Sequence, residues 1–263
     1  MVTNATDKKE ILKRVILANV MYLINKMGLK VGKVEEAIGV STGYLSRLGG
    51  EGNSTKIGVE LVSALSAVLK IPMDILCHVD LTALTPNEST AILFIGKLMQ
   101  ETIENVRRWQ RYTIKDMEEL QVYSDGQTTN PMIVGDGPNK WYESKFADKR
   151  GTKVAGDMFS TGIGNNNSVF VTCVQYPDEN DLDYELCICE YVDHGEGGDY
   201  HWVLHPVCAT DRNQPSSIDA SLQKLYSSVK ELSRKVTLTD YVKTAIDGFL
   251  NPPAPEETDE LPF

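Results

Sequence analysis

Residues Val34-Glu-Glu-Ala-Ile-Gly-Val-Ser-Thr-Gly-Tyr-Leu-Ser-Arg47 constrain the fold more than any other stretch of the chain. Val34, Ala37 and Ile38 recur at helical spacing and can face one core. Gly39 is the residue type that reverses a helix at no steric cost. Val40 can fill the angle between two helices. Ser41 has N-cap chemistry, so a second helix is expected to start there. Leu45 and Leu48 would anchor it. Thr42, Gly43, Tyr44, Ser46 and Arg47 would then face outward, the geometry of a helix that enters a major groove.

The flanks extend this pattern. Ile11, Val15, Ile16, Val20, Leu23, Ile24 and Met27 form one helical stripe, and Val59, Leu61, Val62, Leu65, Val68 and Leu69 form another. Pro72-Met-Asp-Ile-Leu76 begins a fifth helix, with proline at its start. The Gly-Val-Ser turn, the Gly-Tyr-Leu-Ser-Arg segment and the closing Leu-x-Ile-Pro resemble the Cro-like phage-repressor (XRE) helix-turn-helix family. The resemblance covers roughly Ile11 to Asp80. It departs at Glu35, where the family usually has a small alanine.

The resemblance implies a sequence-specific double-stranded-DNA-binding transcriptional regulator. A dimeric repressor of bacterial, phage or mobile-element origin is expected. Thr42, Tyr44 and Arg47 become the base-contact candidates, because arginine pairs bidentately with guanine and a threonine methyl can touch thymine. Lys33, Ser41, Ser46, Asn53, Ser54, Thr55 and Lys56 become the phosphate-contact candidates. Two alternatives stay open. Helical hairpins of this kind also serve as protein-docking modules, and Lys33 and Lys56 read equally as ordinary solvated lysines.

Charge is unevenly placed. Ten of the 26 basic and eight of the 37 acidic residues lie in 1–80, so that part carries +2 and the remainder −13. A weakly basic head needs dimerisation or base contacts to hold DNA, and an acidic body repels DNA that strays from it. The chain has 263 residues, enough for two domains with cores of their own. The first apolar run is amphipathic and carries Lys and Arg, so no signal peptide is read, and no run reaches the length of a membrane span. Five cysteines, an odd number, suggest a reducing compartment, so a cytoplasmic protein is expected.

An α+β domain is expected over 85–250, serving dimerisation or sensing. Thr85-Pro-Asn-Glu88 has the signature of a helix start, and an apolar stripe (Ile92, Ile95, Leu98, Met99, Ile103, Val106) predicts a helix to about Trp109. Tyr123 to Lys140 reads as loop. Ser168–Tyr176, Tyr184–Val192 and Tyr200–Cys208 read as strands of a small antiparallel meander, with Pro206 putting the last at an edge or ending it. Helices are expected at about Ser217–Lys235 and Asp240–Leu250.

Chemistry-bearing motifs are few. Cys173, Cys187, Cys189 and Cys208 accompany His194, His201 and His205, but no C-x-x-C pair supports zinc, so the thiols read as core residues. Gly162-Ile-Gly164 lacks the strand–helix frame of a nucleotide site and reads as a turn. Val154-Ala155-Gly156 resembles the Ala-Gly site cut in LexA-type repressors, but no Gly-Asp-Ser-Met-like motif follows, so self-cleavage is not expected. No catalytic residue, metal or cofactor is expected.

Asn251 to Phe263 is Pro-rich and acidic, with few core formers, and is expected to be disordered. Its end, Asp259-Glu260-Leu261-Pro262-Phe263, resembles the acidic tip of bacterial single-stranded-DNA-binding proteins. That resemblance implies docking on replication or repair proteins: the Phe263 ring in an apolar pocket, its carboxylate on a cation, Asp259 and Glu260 on a basic rim. A solubilising tail is the alternative.

Overall fold

The computed structural model describes residues 5–50, 53, 55–119, 122–124, 127–129, 132–134, 141–146, 151–164, 166–177, 179–193, 200–210 and 215–233. Ser54, His194, the helix expected at 240–250 and the tail with Asp259, Glu260, Leu261, Pro262 and Phe263 lie outside the described residues.

Five helices fall in the first 80 residues: α1 Ala5–Lys26, α2 Val31–Ala37, α3 Tyr44–Leu48, α4 Val59–Leu69 and α5 Met73–His78. Ile16, Val20, Leu23 and Ile24 are buried along α1, as their spacing predicts. The ends of that stripe, Ile11 and Met27, are exposed instead. At 22 residues α1 is twice as long as α4, the longest of the other four, so its ends overhang them. Val59 is also exposed, at the first position of α4.

Asn19 fastens α1 to the end of α5. Its fully buried side-chain amide donates to the Leu76 and Val79 carbonyls at 2.9 and 2.6 Å, and its carbonyl accepts from the Leu81 N–H at 2.9 Å. Leu76 and Val79 are carbonyls that a helix C-terminus leaves without an intrahelical partner.

α6 Pro86–Ile103 follows, with the expected capping box. Thr85 Oγ1 accepts from the Glu88 N–H, and Glu88 Oε2 accepts from the Thr85 N–H at 2.7 Å. The helix stops at Ile103 rather than near Trp109. Asn105 adopts φ 57°, a left-handed conformation that asparagine tolerates. The chain then folds back, and Trp109 Nε1 donates to Thr102 Oγ1 at 2.9 Å. Ile103 and Val106 are therefore exposed, outside the stripe expected for them.

The remaining elements are β1 Gln110–Tyr112, α7 Ile114–Glu119, β2 Val122–Ser124, β3 Gln127–Thr129, β4 Ile133–Val134, β5 Trp141–Tyr142, β6 Lys153–Gly164, β7 Asn167–Gln175, β8 Asp183–Asp193, β9 Tyr200–Ala209 and α8 Ser216–Ser233. An antiparallel five-stranded sheet runs in the order β1-β6-β7-β8-β9. The protein is thus α+β. The meander β7-β8-β9 matches the expected strands within two residues. β9 is an edge strand, and Pro206 sits beside a register shift, where a missing N–H costs least. Two corrections follow. Gly162-Ile-Gly164 is the end of strand β6 rather than a separate turn, and Ala155–Gly156 lies within the same strand. The segment expected as loop, 123–140, contains the short pairs β2–β3 and part of β4–β5.

Alternation along the strands divides the sheet into two faces. Phe159, Val169, Val171 and Leu186 pack toward Ile92 and Ile95 of α6 and Leu222 and Leu225 of α8. The same apolar cluster continues into Ile75, Leu76 and the five-helix head, across the boundary expected near 80–85. α5 and α6 lie close together. A Cβ on Gly96 would stand 2.6 Å from Ile75 Cδ1 and 3.2 Å from Pro72 Cδ, so a larger residue there would have to displace the Ile75 side chain. Lys224 of α8 also pairs with Asp74 of α5 at 2.8 Å. The opposite face packs Met158, Phe170, Val174 and Cys189 against Met117 of α7, Met132 and Tyr142.

Glu185 is buried beneath this second layer, and its Oε1 accepts from Tyr176 at 2.7 Å and from Ser144. Burial raises its pKa above the ordinary carboxylate value, outweighing the hydrogen bonds that lower it. The folded state therefore holds this proton more tightly than the unfolded state. Stability should fall as pH rises from the ordinary carboxylate range to the raised value, and level off above it. Subtracting the stability curve of Glu185→Gln from that of the wild type should isolate this downward slope. A difference that rises with pH in that window would contradict it.

Candidate nucleic-acid interface

The turn between α2 and α3 is built from both sides. Gly39 takes φ 76°, as the reversal requires, and the Val40 N–H closes it on the Glu35 carbonyl at 3.0 Å. Val34, Leu45 and Leu48 are buried, and Val31, Ile38 and Tyr44 pack partly against the same core. Ala37, expected to face inward, is exposed.

Ser41 is not the cap of α3. The helix starts at Tyr44, and Gly43 holds the N-cap position at φ 77° with no side-chain cap bond of its own. The cap comes from α2. Glu35 is only 1% exposed, and its Oε2 accepts from the Gly43 N–H at 2.7 Å while Oε1 accepts from the Leu45 N–H at 2.8 Å. Two of the donors that a helix start leaves unpaired are satisfied by one carboxylate eight to ten residues upstream. The departure from the resembled family is thus the side chain that joins the two helices. The only sign of this in the sequence is the acid at a position where the resembled family has a small alanine; that Glu35 is buried and paired is visible only in the structure.

Ser41 has a different role. Arg47 Nη2 donates to Ser41 Oγ at 2.8 Å and Nη1 donates to the Thr42 carbonyl at 3.1 Å. The guanidinium is thereby held over the start of α3. Thr42, Ser46 and Arg47 are exposed, whereas Tyr44 is half-buried. The structure therefore brings Ser41, Thr42 and Arg47 together, leaves Ser46 exposed on α3 and turns Tyr44 partly into the core.

The other candidates lie around this unit. Lys33 is exposed on α2 and pairs with Glu36 at 2.7 Å. Asn53 is committed to the fold: Nδ2 donates to the Arg47 carbonyl at 2.7 Å, Oδ1 accepts from the Thr55 N–H at 2.8 Å, and its carbonyl accepts from Lys13 Nζ at 2.5 Å. Lys13, a buried lysine on α1, was not legible as a support of this loop. Thr55 and Lys56 are exposed ahead of α4. Glu60 occupies the first turn of α4, an acid that competes with phosphate for the same helix terminus.

Among the described residues no group of three His, Cys, Asp or Glu side chains could hold a metal ion. Cys173, Cys187, Cys189 and Cys208 are buried and unbridged, and desolvation raises the pKa of each thiol. Among the described residues no single helix is long and apolar enough to cross a membrane. α1 and α2 are long and apolar enough only when taken together, and they are bent by 114° at the break between them. Comparison with family models, characterised proteins and solved structures gave no match.

Proposed function

We propose that this chain is a sequence-specific duplex-DNA-binding regulator, acts as a homodimer, and is a binding protein rather than an enzyme. The observation that carries this reading is the α2–turn–α3 unit. Leu45 and Leu48 fasten α3 from below and Glu35 caps it from behind, which leaves Thr42, Ser46 and Arg47 exposed. Arg47 is positioned before any ligand arrives, so less side-chain entropy is lost on contact. Two of its N–H groups are used by Ser41 and Thr42, and the rest of its five donors stay available to a guanine edge or a phosphate.

A five-residue α3 offers few base contacts, and the head carries only +2. Two copies on half-sites about 34 Å apart would double those contacts. The −13 carried by the rest of the chain favours approach head first. Thiols held protonated by burial are poor nucleophiles, which fits a binding role.

Arg47→Ala tests the assignment of α3. Fluorescence anisotropy on a duplex selected by the protein should show a loss of about 1–3 kcal/mol, with relaxed preference at one base pair per half-site. Wild-type affinity in that variant would remove α3 from the interface.

A further inference from the structure

The turn that ends α6 holds two apolar side chains in water. Ile103 is 66% exposed and Val106 71%, the highest values among the large hydrophobic side chains described. The turn itself is braced from several sides. The Val106 and Arg107 N–H groups donate to the Glu101 carbonyl at 2.9 and 3.0 Å. The Arg107 guanidinium donates to the Glu101 carboxylate and to the Gly162 carbonyl of β6. Trp109 Nε1, beyond the turn, donates back to Thr102 Oγ1. Apolar tips fixed in this way lose little further freedom when a surface covers them, so most of the gain from burying them goes into binding.

A hollow of about 290 Å³ lies beside these tips, lined by Val106, Arg108, Thr161 and Gly162 together with Glu101 and Arg107. Glu101 and Arg107 neutralise one another. Glu104 and Arg108 are both exposed, one acid two residues before Val106 and one base two residues after it. Glu104 Oε1 accepts from the neutral Gln100 Nε2 at 2.9 Å, which leaves its charge uncompensated by that contact. A two-fold axis at Val106 sets Glu104 of each copy toward Arg108 of the other, and the apolar tips of each against the hollow of the other. The same patch then serves both partners, as an isologous contact requires. A uniformly acidic or uniformly basic partner would instead meet one of the two charges with its own sign, which is unfavourable.

We infer that the braced turn 103–108 is the homodimer contact of this protein, with a second copy of the chain as its occupant. Ile103 and Val106 of each copy are covered by the other, and Glu104 pairs with Arg108 across the two-fold axis. The inference rests on the homodimer reading above and gives that dimer its surface. It makes no use of the α2–turn–α3 unit, so it is tested without DNA.

Sedimentation velocity of the full chain over about 1–100 μM, a range that brackets micromolar affinity, provides the test. The wild type should sediment as a dimer. Val106→Asp places an unpaired charge in the contact and should raise the dimer dissociation constant at least about tenfold. Ile11→Asp, at an exposed position on α1, should leave the dimer intact. Glu104→Arg and Arg108→Glu should each weaken the dimer about fivefold or more, and the two combined should restore it to within about twofold of the wild type, because the pair is reversed rather than lost. If Val106→Asp lacks a cooperative melt, the charge reversals decide. A wild type that stays monomeric across the range overturns the homodimer reading and this surface with it. A wild-type dimer that Val106→Asp leaves unchanged, that Ile11→Asp disrupts equally, or that the combined reversal fails to restore overturns this surface alone.

Discussion

Replacing Glu35 by alanine is expected to lower the unfolding free energy by about 2–4 kcal/mol, because one buried and one part-buried N–H donor lose their acceptor and a small cavity remains. Those donors, on Gly43 and Leu45, start α3, so the loss falls on the unit that presents Arg47. Glu35→Gln keeps the volume and one acceptor, and should cost about half as much. Urea unfolding of the three proteins measures both effects. A change below about 0.5 kcal/mol in the alanine variant would show that the cap contributes nothing, since that is the range of neutral surface substitutions. DNA affinity measured on the folded alanine variant should also fall, because the turn loses the side chain that fixes the start of α3.

Asn19→Leu should be at least as costly, at about 3–5 kcal/mol. The leucine is close in size, but it leaves two carbonyls and one N–H without partners in a site closed to water. The loss falls where the head meets the rest of the molecule, because Leu76, Val79 and Leu81 lead from α5 toward α6. The apolar cluster is continuous across that point, so the melt should shift as a single transition. Two separated transitions, or a cost near zero, would contradict this role for Asn19.

Local patterns were legible in the sequence and long-range ones were not. The Thr85–Glu88 capping box spans four residues and is legible in the sequence, as is the reversal at Gly39. β8 alternates, β7 is rich in Val, Phe and Thr, and β9 carries Trp202, Val203, Leu204 and Val207, so their strand character is legible in the sequence. β6 escaped because Gly156, Gly162 and Gly164 and the intervening Asp157 have low strand propensity. Its pairing with β7 decides its conformation. Ser41 has the right chemistry for a cap, but the buried Glu35 supplies a stronger, charge-assisted acceptor from the neighbouring helix. Local propensity cannot see that partner. The same limit applies to Asn53, which reads as a phosphate contact in isolation and supports the loop in the fold. Arg47 stands out in the sequence as a site candidate from its position, whereas its hold on Ser41 and Thr42 is visible only in the structure.

Duplex DNA recognition by the α2–turn–α3 unit is tested most directly by selecting the purified protein against a random duplex-DNA pool at low salt, followed by sequencing. The predicted result is an enriched palindrome whose half-sites lie about one helical turn apart. The Arg47→Ala protein, carried through the same selection, should lose the preference at one position of each half-site. A pool that stays random would contradict DNA recognition and leave the exposed flank of α3 as a protein-docking surface.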